Sequence, residues 1–354
     1  MKKVFGLLFI LCSFALVFTA CGSTNNNSNS NTSANSGELE YQANDTGYTI
    51  SGIGTYTGTD ISIPAEHAGE PVTMIGFGAF QNNTQITSVI IPDSVTEIDQ
   101  SAFAGCEALS EVKMGKNVVK IGRDAFQNCK NLTKVSLPEK ITELESGLFG
   151  ACESLTKITI PEGVTKIKSA VFDHCKKLTS IEIPASVTTL ECTFNYCDSL
   201  TELTVAEGNT VYTSAGNCIL EVETNTVIAG CNNSEIPNTA TKIGHSAFLG
   251  CTKMESIVIP DSITELDERA FAWCDSLVSV TIGSGVTYIQ KHAFLNCISL
   301  PGIRIPQNVV TISNDAFSGC EKMTDIWYEV QTQPSKWSEF VSCPAFVHWG
   351  YPEK

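Results

Sequence analysis

The sequence is poor in basic residues and in histidine, and this scarcity excludes several classes of function. Its 354 residues include 22 Lys and Arg against 38 Asp and Glu, which gives a formal net charge of −16, and only 5 His. No basic stripe interrupts this acidic balance. We therefore expect neither nucleic acid nor an anionic membrane surface as a partner.

Motifs of catalysis and metal binding are also missing. The chain has no H-E-x-x-H, C-x-x-C or G-x-S-x-G pattern, no phosphate-binding glycine loop and no calcium-loop spacing. Its histidines fall at unrelated positions. The sequence therefore predicts a protein that is not an enzyme and that uses no metal and no cofactor.

What the sequence does contain is a repeat of 23 residues, marked by phenylalanine and, three residues later in most copies, by cysteine. A fixed period of this length indicates one supersecondary unit stacked many times, because a single unit cannot bury its apolar side alone. Such a stack offers a long surface and no enclosed pocket, which favours binding over catalysis. The phenylalanines are Phe80, Phe103, Phe126, Phe149 and Phe172 in a first block, and Phe248, Phe271, Phe294 and Phe317 in a second.

One unit, residues 155–178, indicates how the chain folds. Ile158 and Ile160 alternate with polar residues, which is typical of a short half-buried strand, and Pro161 ends it. A second short apolar stretch then leads to the phenylalanine and the cysteine. We predict a repeat solenoid, mostly β and loop, in which short parallel strands stack rung on rung around a narrow core.

The repeat resembles a known family. The pattern I-P-x-x-V-T-x-I-x-x-x-A-F-x-x-C-x-x-L-T, best seen in residues 91–110, 160–179 and 259–278, is similar to the BspA-like (treponemal-type) leucine-rich repeats of bacterial surface proteins. Small departures include Ser110 and Val278 in place of Thr, and Val171 in place of Ala. The resemblance spans roughly residues 48 to 328. It implies an α/β-type leucine-rich repeat solenoid and an extracellular role in binding or adhesion.

The repeat is interrupted in residues 205–236, within a solenoid that we assign to residues 76–325. The interruption resembles a hairpin-like insert common in that family, and we predict two strands joined by a turn at Thr224 and Asn225. Cys218 and Cys231 would then face each other, so this pair could form a disulfide or remain reduced. An active site in the irregular insert is a hypothesis for function beside the binding of a protein and the binding of a glycan. One residue is also missing before Phe194, which shortens that rung.

Most of the 15 cysteines have a structural explanation. Nine of them, including Cys197, occupy one repeat column flanked by core positions, which indicates a small buried residue. Parallel side chains in stacked rungs suit a disulfide poorly, and they do not converge on a metal ion. We predict that Cys129, Cys152, Cys274 and Cys297 are free thiols.

The N-terminus has the pattern of a secreted lipoprotein. Lys2 and Lys3 precede an apolar run in residues 4–18, which predicts a signal peptide over residues 1–20. Cys21 follows Thr-Ala and is the predicted lipidation site, although Phe18 stands where such signals usually have Leu; an ordinary signal cut near Ala20 is the alternative. Residues 21–38 are almost all Gly, Ser, Asn and Thr, which predicts a disordered tether. Removal of the signal would change the net charge to −18.

Both ends of the solenoid are predicted to be capped, by residues 39–75 and 326–354. The C-terminal segment contains Trp327, Trp337 and Trp349. These rings either cover the last rung's open core or form an aromatic platform for sugar rings.

The candidate binding face consists of the outward positions of the strands, which either solubilise the protein or form an extended contact surface for an extracellular protein or glycan. We expect a monomer at the bacterial cell surface, held to the membrane through its N-terminal lipid alone. The candidate residues are Lys134, Ser136, Lys157, Thr159, Ser180, Glu182, Glu202, Thr204 and Arg304.

Overall fold

A computed structural model describes residues 37–331 and 340–350 of the chain, which belong to one compact unit, Ser36–Lys354. The described residues form a parallel β-solenoid of about 13 turns, which confirms the predicted stack of rungs. They contain no helix, so turns connect the strands, and accordingly no helix among them could cross a membrane.

The strands within the described residues are mostly two to six residues long. In chain order they are β1 (Glu40–Asn44), β2 (Gly47–Gly52), β3 (Asp60–Ser62), β4 (Glu66–His67), β5 (Glu70–Ile75), β6 (Ser88–Ile90), β7 (Glu97–Ile98), β8 (Glu111–Lys113), β9 (Lys120–Ile121), β10 (Lys134–Val135), β11 (Glu143–Leu144), β12 (Lys166–Ile167), β13 (Ser180–Ile183), β14 (Thr189–Leu190), β15 (Glu202–Val205), β16 (Tyr212–Ala215), β17 (Cys218–Glu221), β18 (Thr226–Ala229), β19 (Lys242–Ile243), β20 (Ser256–Ile259), β21 (Glu265–Leu266), β22 (Ser279–Ile282), β23 (Tyr288–Ile289), β24 (Gly302–Ile305), β25 (Thr311–Ile312), β26 (Asp325–Tyr328) and β27 (Phe346–Trp349).

The repeat period produces two parallel ladders. In the first ladder, Ser88 of β6 pairs with Glu111 of β8, which pairs in turn with Lys134 of β10, at 23 residues each. In the second, Glu97 of β7 pairs with Lys120 of β9 at the same spacing. Because side chains alternate along a strand, most rungs bury an Ile, Val or Leu and expose the residue beside it, which is polar in most rungs and apolar at Ile90 and Val258.

The phenylalanines form a second side of the core, and the backbone on either side of them is left-handed in most rungs. Ser101 and Gly105 flank Phe103 with φ of 57° and 75°. This conformation directs the Phe103 N–H to the Ala125 carbonyl of the next rung at 2.8 Å. The rings consequently stack from rung to rung, with centroid separations of 5.0 to 6.0 Å from Phe80 through to Phe194.

The column cysteines are buried free thiols, as predicted. The structure also shows why cysteine suits this position. Most of these thiols donate a hydrogen bond to the carbonyl of the phenylalanine in the preceding rung; Cys152 Sγ lies 3.2 Å from Phe126 O and Cys297 Sγ lies 3.1 Å from Phe271 O. Alanine would fill the same space but could not donate. Burial raises the pKa of these thiols well above the ordinary value.

The stack accommodates the irregular rungs through changes in the register of paired strands. The missing residue before Phe194 reduces the offset to 22, so that Ser180 pairs with Glu202, and the Phe194 ring still stacks on Phe172 at 6.0 Å. In the first rung, β4 and β5 form a small hairpin, and the offset from Asp60 to Ser88 grows to 28. The stack therefore tolerates insertions that leave the core positions in line.

The insert differs from the predicted two-strand hairpin, because it contains three antiparallel strands, β16, β17 and β18. Strand β18 then pairs in parallel with β19, so the insert continues the second ladder. Gly230 follows β18, and a Cβ there would lie 2.0 Å from the Phe248 ring, which therefore packs against this glycine. Cys218 and Cys231 are separate buried thiols, since Ile219 pairs with Ala229 and leaves Cys231 one residue out of register.

One predicted strand is wrong. Residues 157–160, in the unit from which the repeat was interpreted, form no strand, although Ile158 and Ile160 are buried as expected. No hydrogen bond within the described chain involves the main chain of these four residues. The alternation correctly predicted which side chains point inward, but burial does not require that neighbouring rungs approach to hydrogen-bonding distance.

Candidate binding surface

The candidate residues share one outward face of the first ladder. Lys157 and Thr159 are exposed beside the buried Ile158 and Ile160, and the same alternation holds in the neighbouring rungs. All nine candidates are exposed or half-buried. The face is thus mostly polar, with Ile90 and Val258 as exposed apolar side chains on it, and its positions are fixed by the core beneath it.

Two grooves mark the middle of this face. The larger has a volume of about 700 Å³ and crosses three rungs; it is lined by Lys134, Ser136, Lys157 and Thr159 among others. The smaller, of about 250 Å³, is lined by Lys157, Thr159, Ser180, Glu182, Glu202 and Thr204. The structure therefore brings eight of the nine candidates together around two adjoining grooves, and Arg304 lies apart from them on β24.

The two grooves differ in charge. Three lysines, Lys113, Lys134 and Lys157, line the larger groove. The smaller groove has Glu162, Glu182 and Glu202 along its wall, with Lys157 at the boundary between the two. Glu111 and Glu139 also line the larger groove, which therefore has a small excess of positive charge, whereas the smaller groove has an excess of negative charge.

A second cluster lies at the C-terminal end of the same face, where Arg304, Trp327 and His348 are in register on β24, β26 and β27. The Arg304 guanidinium lies 5.7 Å from the Trp327 ring centroid, and the His348 ring stacks on Trp327 at 6.1 Å. The Asp325 carboxylate accepts a hydrogen bond from His348 Nε2 at 2.6 Å. Hydrogen bonds from Thr324 and His348 lower the pKa of Asp325.

The predicted aromatic platform is not formed by Trp327 and Trp349. Trp349 pairs with Tyr328 rather than with Trp327, so the two tryptophans project from opposite faces of the sheet. The Trp349 ring packs against the buried Tyr328 at 5.4 Å, and Phe340 meets the Phe317 ring edge to face at 5.1 Å. Trp337 and Cys21 lie outside the described residues.

Several residues of the face were not among the sequence candidates. Lys113 occupies the same strand position as Ser136 and Thr159, so the repeat frame could have identified it. Met114 and Leu137 are half-buried at the end of the larger groove and border a further hollow of about 440 Å³. The 23-residue repeat did not indicate His348 as a residue of this face, because the last strand pairs at a shorter offset, 21 residues from Asp325 to Phe346.

The insert offers little space for chemistry. A cavity of about 10 Å³ beside it is lined by residues that include Cys192, Thr193, Asn195 and Ser246, and this volume suits at most one water molecule. The Thr193 hydroxyl is buried there, and no described residue forms a hydrogen bond with it. Throughout the described residues, no group of three or more His, Cys, Asp or Glu side chains is arranged to hold a metal ion.

Comparison with known proteins agrees with the repeat architecture. The profile of the BspA type leucine rich repeat region matches residues 73–201 and 226–345, in six copies. The chain is similar to the crystal structure of a leucine rich cell surface protein from Faecalibacterium prausnitzii, at 31% identity and a TM-score of 0.66, over 89% of this chain and 94% of that one. No curated protein matches the sequence.

Two further solved structures are similar at lower identity, where the likeness concerns the fold alone. The pneumococcal vaccine antigen PcpA is 18% identical with a TM-score of 0.68, over 82% of this chain and 80% of that one. A leucine-rich repeat protein from Bacteroides ovatus is 21% identical with a TM-score of 0.50, over 88% and 98% of the two chains.

Proposed function

The chain belongs to the BspA-type leucine-rich repeat family, and from this premise we propose that it is a non-enzymatic bacterial surface protein that binds another protein through its strand face. Leucine-rich repeat solenoids act mainly as interaction modules, because their stacked rungs provide an extended surface. The observation that carries the proposal is the pair of adjoining grooves, which gather eight outward side chains over consecutive rungs.

A surface location is supported by the relative from Faecalibacterium prausnitzii, which is described as a cell surface protein. The N-terminal sequence supports a lipid anchor on Cys21, followed by a polar tether that would span about 20–24 Å as a flexible coil. In this arrangement the lipid holds the protein at the membrane and the tether carries the solenoid away from it. The acidic solenoid itself has no need to touch the lipid surface.

Binding is tested with the full-length chain, purified in non-ionic detergent and applied to immobilised host extracellular-matrix proteins, cell-wall fragments and glycans. Thr159→Tyr places a large side chain at the boundary of both grooves. It should weaken binding to the captured protein by at least about tenfold, which corresponds to about 1.4 kcal/mol.

The matched control is Ser154→Tyr, in the turn of the same rung and away from the strand face. It should bind as the parent does. Equal loss in both variants, or none in Thr159→Tyr, would contradict the proposed surface. Capture of a glycan in place of a protein, insensitive to Thr159→Tyr and lost in Trp327→Ala, would favour the glycan-binding alternative.

A further inference from the structure

Three lysines in consecutive rungs of the strand face have no carboxylate partner. Within the described residues, no ion pair involves Lys113, Lys134 or Lys157. Elsewhere in the solenoid lysines are commonly paired between rungs; Lys130 lies 2.7 Å from Glu107, and Lys166 lies 2.7 Å from Glu143.

A lack of acidic residues nearby does not explain why these lysines form no ion pair. Lys134 is in register with Glu111 on the adjacent strand, yet their charged groups form no ion pair within 4.0 Å in the described chain. Lys134 and Lys157 occupy the same position of consecutive units, 23 residues apart. Like charges on adjacent rungs are unfavourable unless an anion lies between them.

The main chain beside these lysines is also unsatisfied. Residues 157–160 form no main-chain hydrogen bond within the described chain, whereas β8 and β10 on one side and β13 and β15 on the other are paired. Main-chain N–H groups without a partner attract negatively charged oxygen atoms. They supply the same kind of interaction as the lysines and in the same rung.

Apolar side chains border the charged part of the groove. Met114 and Leu137 are half-buried there, at the edge of the hollow of about 440 Å³. Glu111 and Glu139 also line the larger groove, so a uniformly acidic ligand would meet some repulsion. The surface therefore suits a ligand in which carboxylates are spaced by apolar groups.

We propose that this lysine groove, formed by Lys113, Lys134 and Lys157 with Met114 and Leu137 at its edge, binds an acidic peptide segment of a partner protein. The proposal rests on the proposed function and specifies the chemistry of the partner. Carboxylates of the peptide pair with the three amines and the free N–H groups, and its apolar side chains contact Met114 and Leu137. An anionic polysaccharide would use the charges but would leave the apolar edge unfilled.

The probe is a fluorescein-labelled peptide of alternating Glu and Val, and anisotropy is measured with the full-length chain in non-ionic detergent. Binding should weaken as salt is added, because the lysines are exposed. Peptides with Gln or Lys in place of Glu should not bind. Tighter binding of polygalacturonate than of the Glu-Val peptide would overturn the choice of a peptide.

The variant Lys134→Glu/Lys157→Glu should lose at least about tenfold in affinity for the Glu-Val peptide. Lys177→Glu/Lys322→Glu has the same net charge and changes exposed lysines that form no ion pair within the described chain and lie off the strand face; it should bind as the parent does. Equal losses in the two variants would reduce the effect to net charge and overturn the proposal. Lys134→Met/Lys157→Met should also lose binding, and an unchanged thermal unfolding curve of that variant shows that the fold is intact.

The two proposals can fail separately. A partner captured by the parent and lost in Thr159→Tyr, but bound normally by Lys134→Glu/Lys157→Glu, would leave the strand face as the binding surface and refute the acidic ligand. Loss of the Glu-Val peptide in the lysine variant, with no effect of Thr159→Tyr on any captured protein, would keep the lysine groove as a site for acidic peptides and refute the proposal that the captured protein binds there.

Discussion

Replacement of Phe172 by Ala tests the stacked core at a ring enclosed between two others. The Phe172 side chain is fully buried, and its ring lies between those of Phe149 and Phe194 with centroid separations of 6.0 Å on both sides. Truncation of a buried Phe costs about 3–5 kcal/mol of the free energy of unfolding. We expect the upper part of this range, because two ring contacts worth about 0.5–1.5 kcal/mol each are lost together.

The position of the ring in the stack sets the size of the effect. Phe80 is equally buried, but among the described residues its ring stacks on one ring only, that of Phe103 at 5.0 Å. Phe80→Ala should therefore destabilise the protein less than Phe172→Ala, by about 1 kcal/mol. Phe77 is 66% exposed, and Phe77→Ala should change the stability by no more than about 0.5 kcal/mol.

Urea unfolding followed by circular dichroism measures the three variants against the parent. Because the rungs are held by nearest-neighbour contacts, Phe172→Ala should also broaden the transition as the stack begins to unfold at the altered rung. A loss below about 1 kcal/mol for Phe172→Ala, or a loss equal to that of Phe77→Ala, would refute the account of the core.

Three further predictions concern the backbone, the thiols and the anchor. Ala151 has a φ of 57°, so Ala151→Gly should stabilise the protein by about 1 kcal/mol, whereas Ala104→Gly, at a buried position outside the left-handed region, should destabilise it; the same sign in urea unfolding of both would count against this reasoning. Burial raises the pKa of the column thiols, so the folded state keeps protons that the unfolded state releases near pH 8.5, and the thiols' contribution to the free energy of unfolding should be constant below about pH 8 and fall above about pH 9 by up to about 1.4 kcal/mol per pH unit for each thiol. Urea midpoints that do not change between these pH values would rule out that linkage. Cys21→Ala should release the protein into the medium or leave its precursor uncleaved, and unchanged membrane fractionation would exclude lipid anchoring.

The sequence predicted the rungs well because the repeat places core residues at fixed intervals. It predicted the wrong hydrogen bonding for residues 157–160, since apolar alternation reports which way a side chain points and not how far apart two rungs lie. The first strand of the insert, Tyr212–Ala215, has the sequence YTSA and no apolar alternation that would indicate a strand. The left-handed residues beside each phenylalanine were also missed, although Asn and Gly recur there.

The sequence was sufficient to predict which residues lie on the strand face. It did not predict the grooves that these residues line. Strand alternation correctly assigned Lys157 and Thr159 to the outside. The opposite orientations of Trp327 and Trp349 follow from the register of the last rung, where Tyr328 pairs with Trp349. That register depends on a shortened connection, and no repeat pattern in this segment indicates it. The lysine groove required the structure, because the absence of ion pairs is a matter of side-chain position.

The most direct test of the binding face is site-specific photocrosslinking in the full-length chain. A benzophenone amino acid is placed at Ser136 or Thr159 on the strand face, and at Ser154 in the turn of the same rung as a control, and each protein is irradiated with the partner captured from the panel. We expect covalent adducts from positions 136 and 159 and none from position 154. Adducts from position 154 alone, or equal adducts from all three positions, would contradict the proposed binding face.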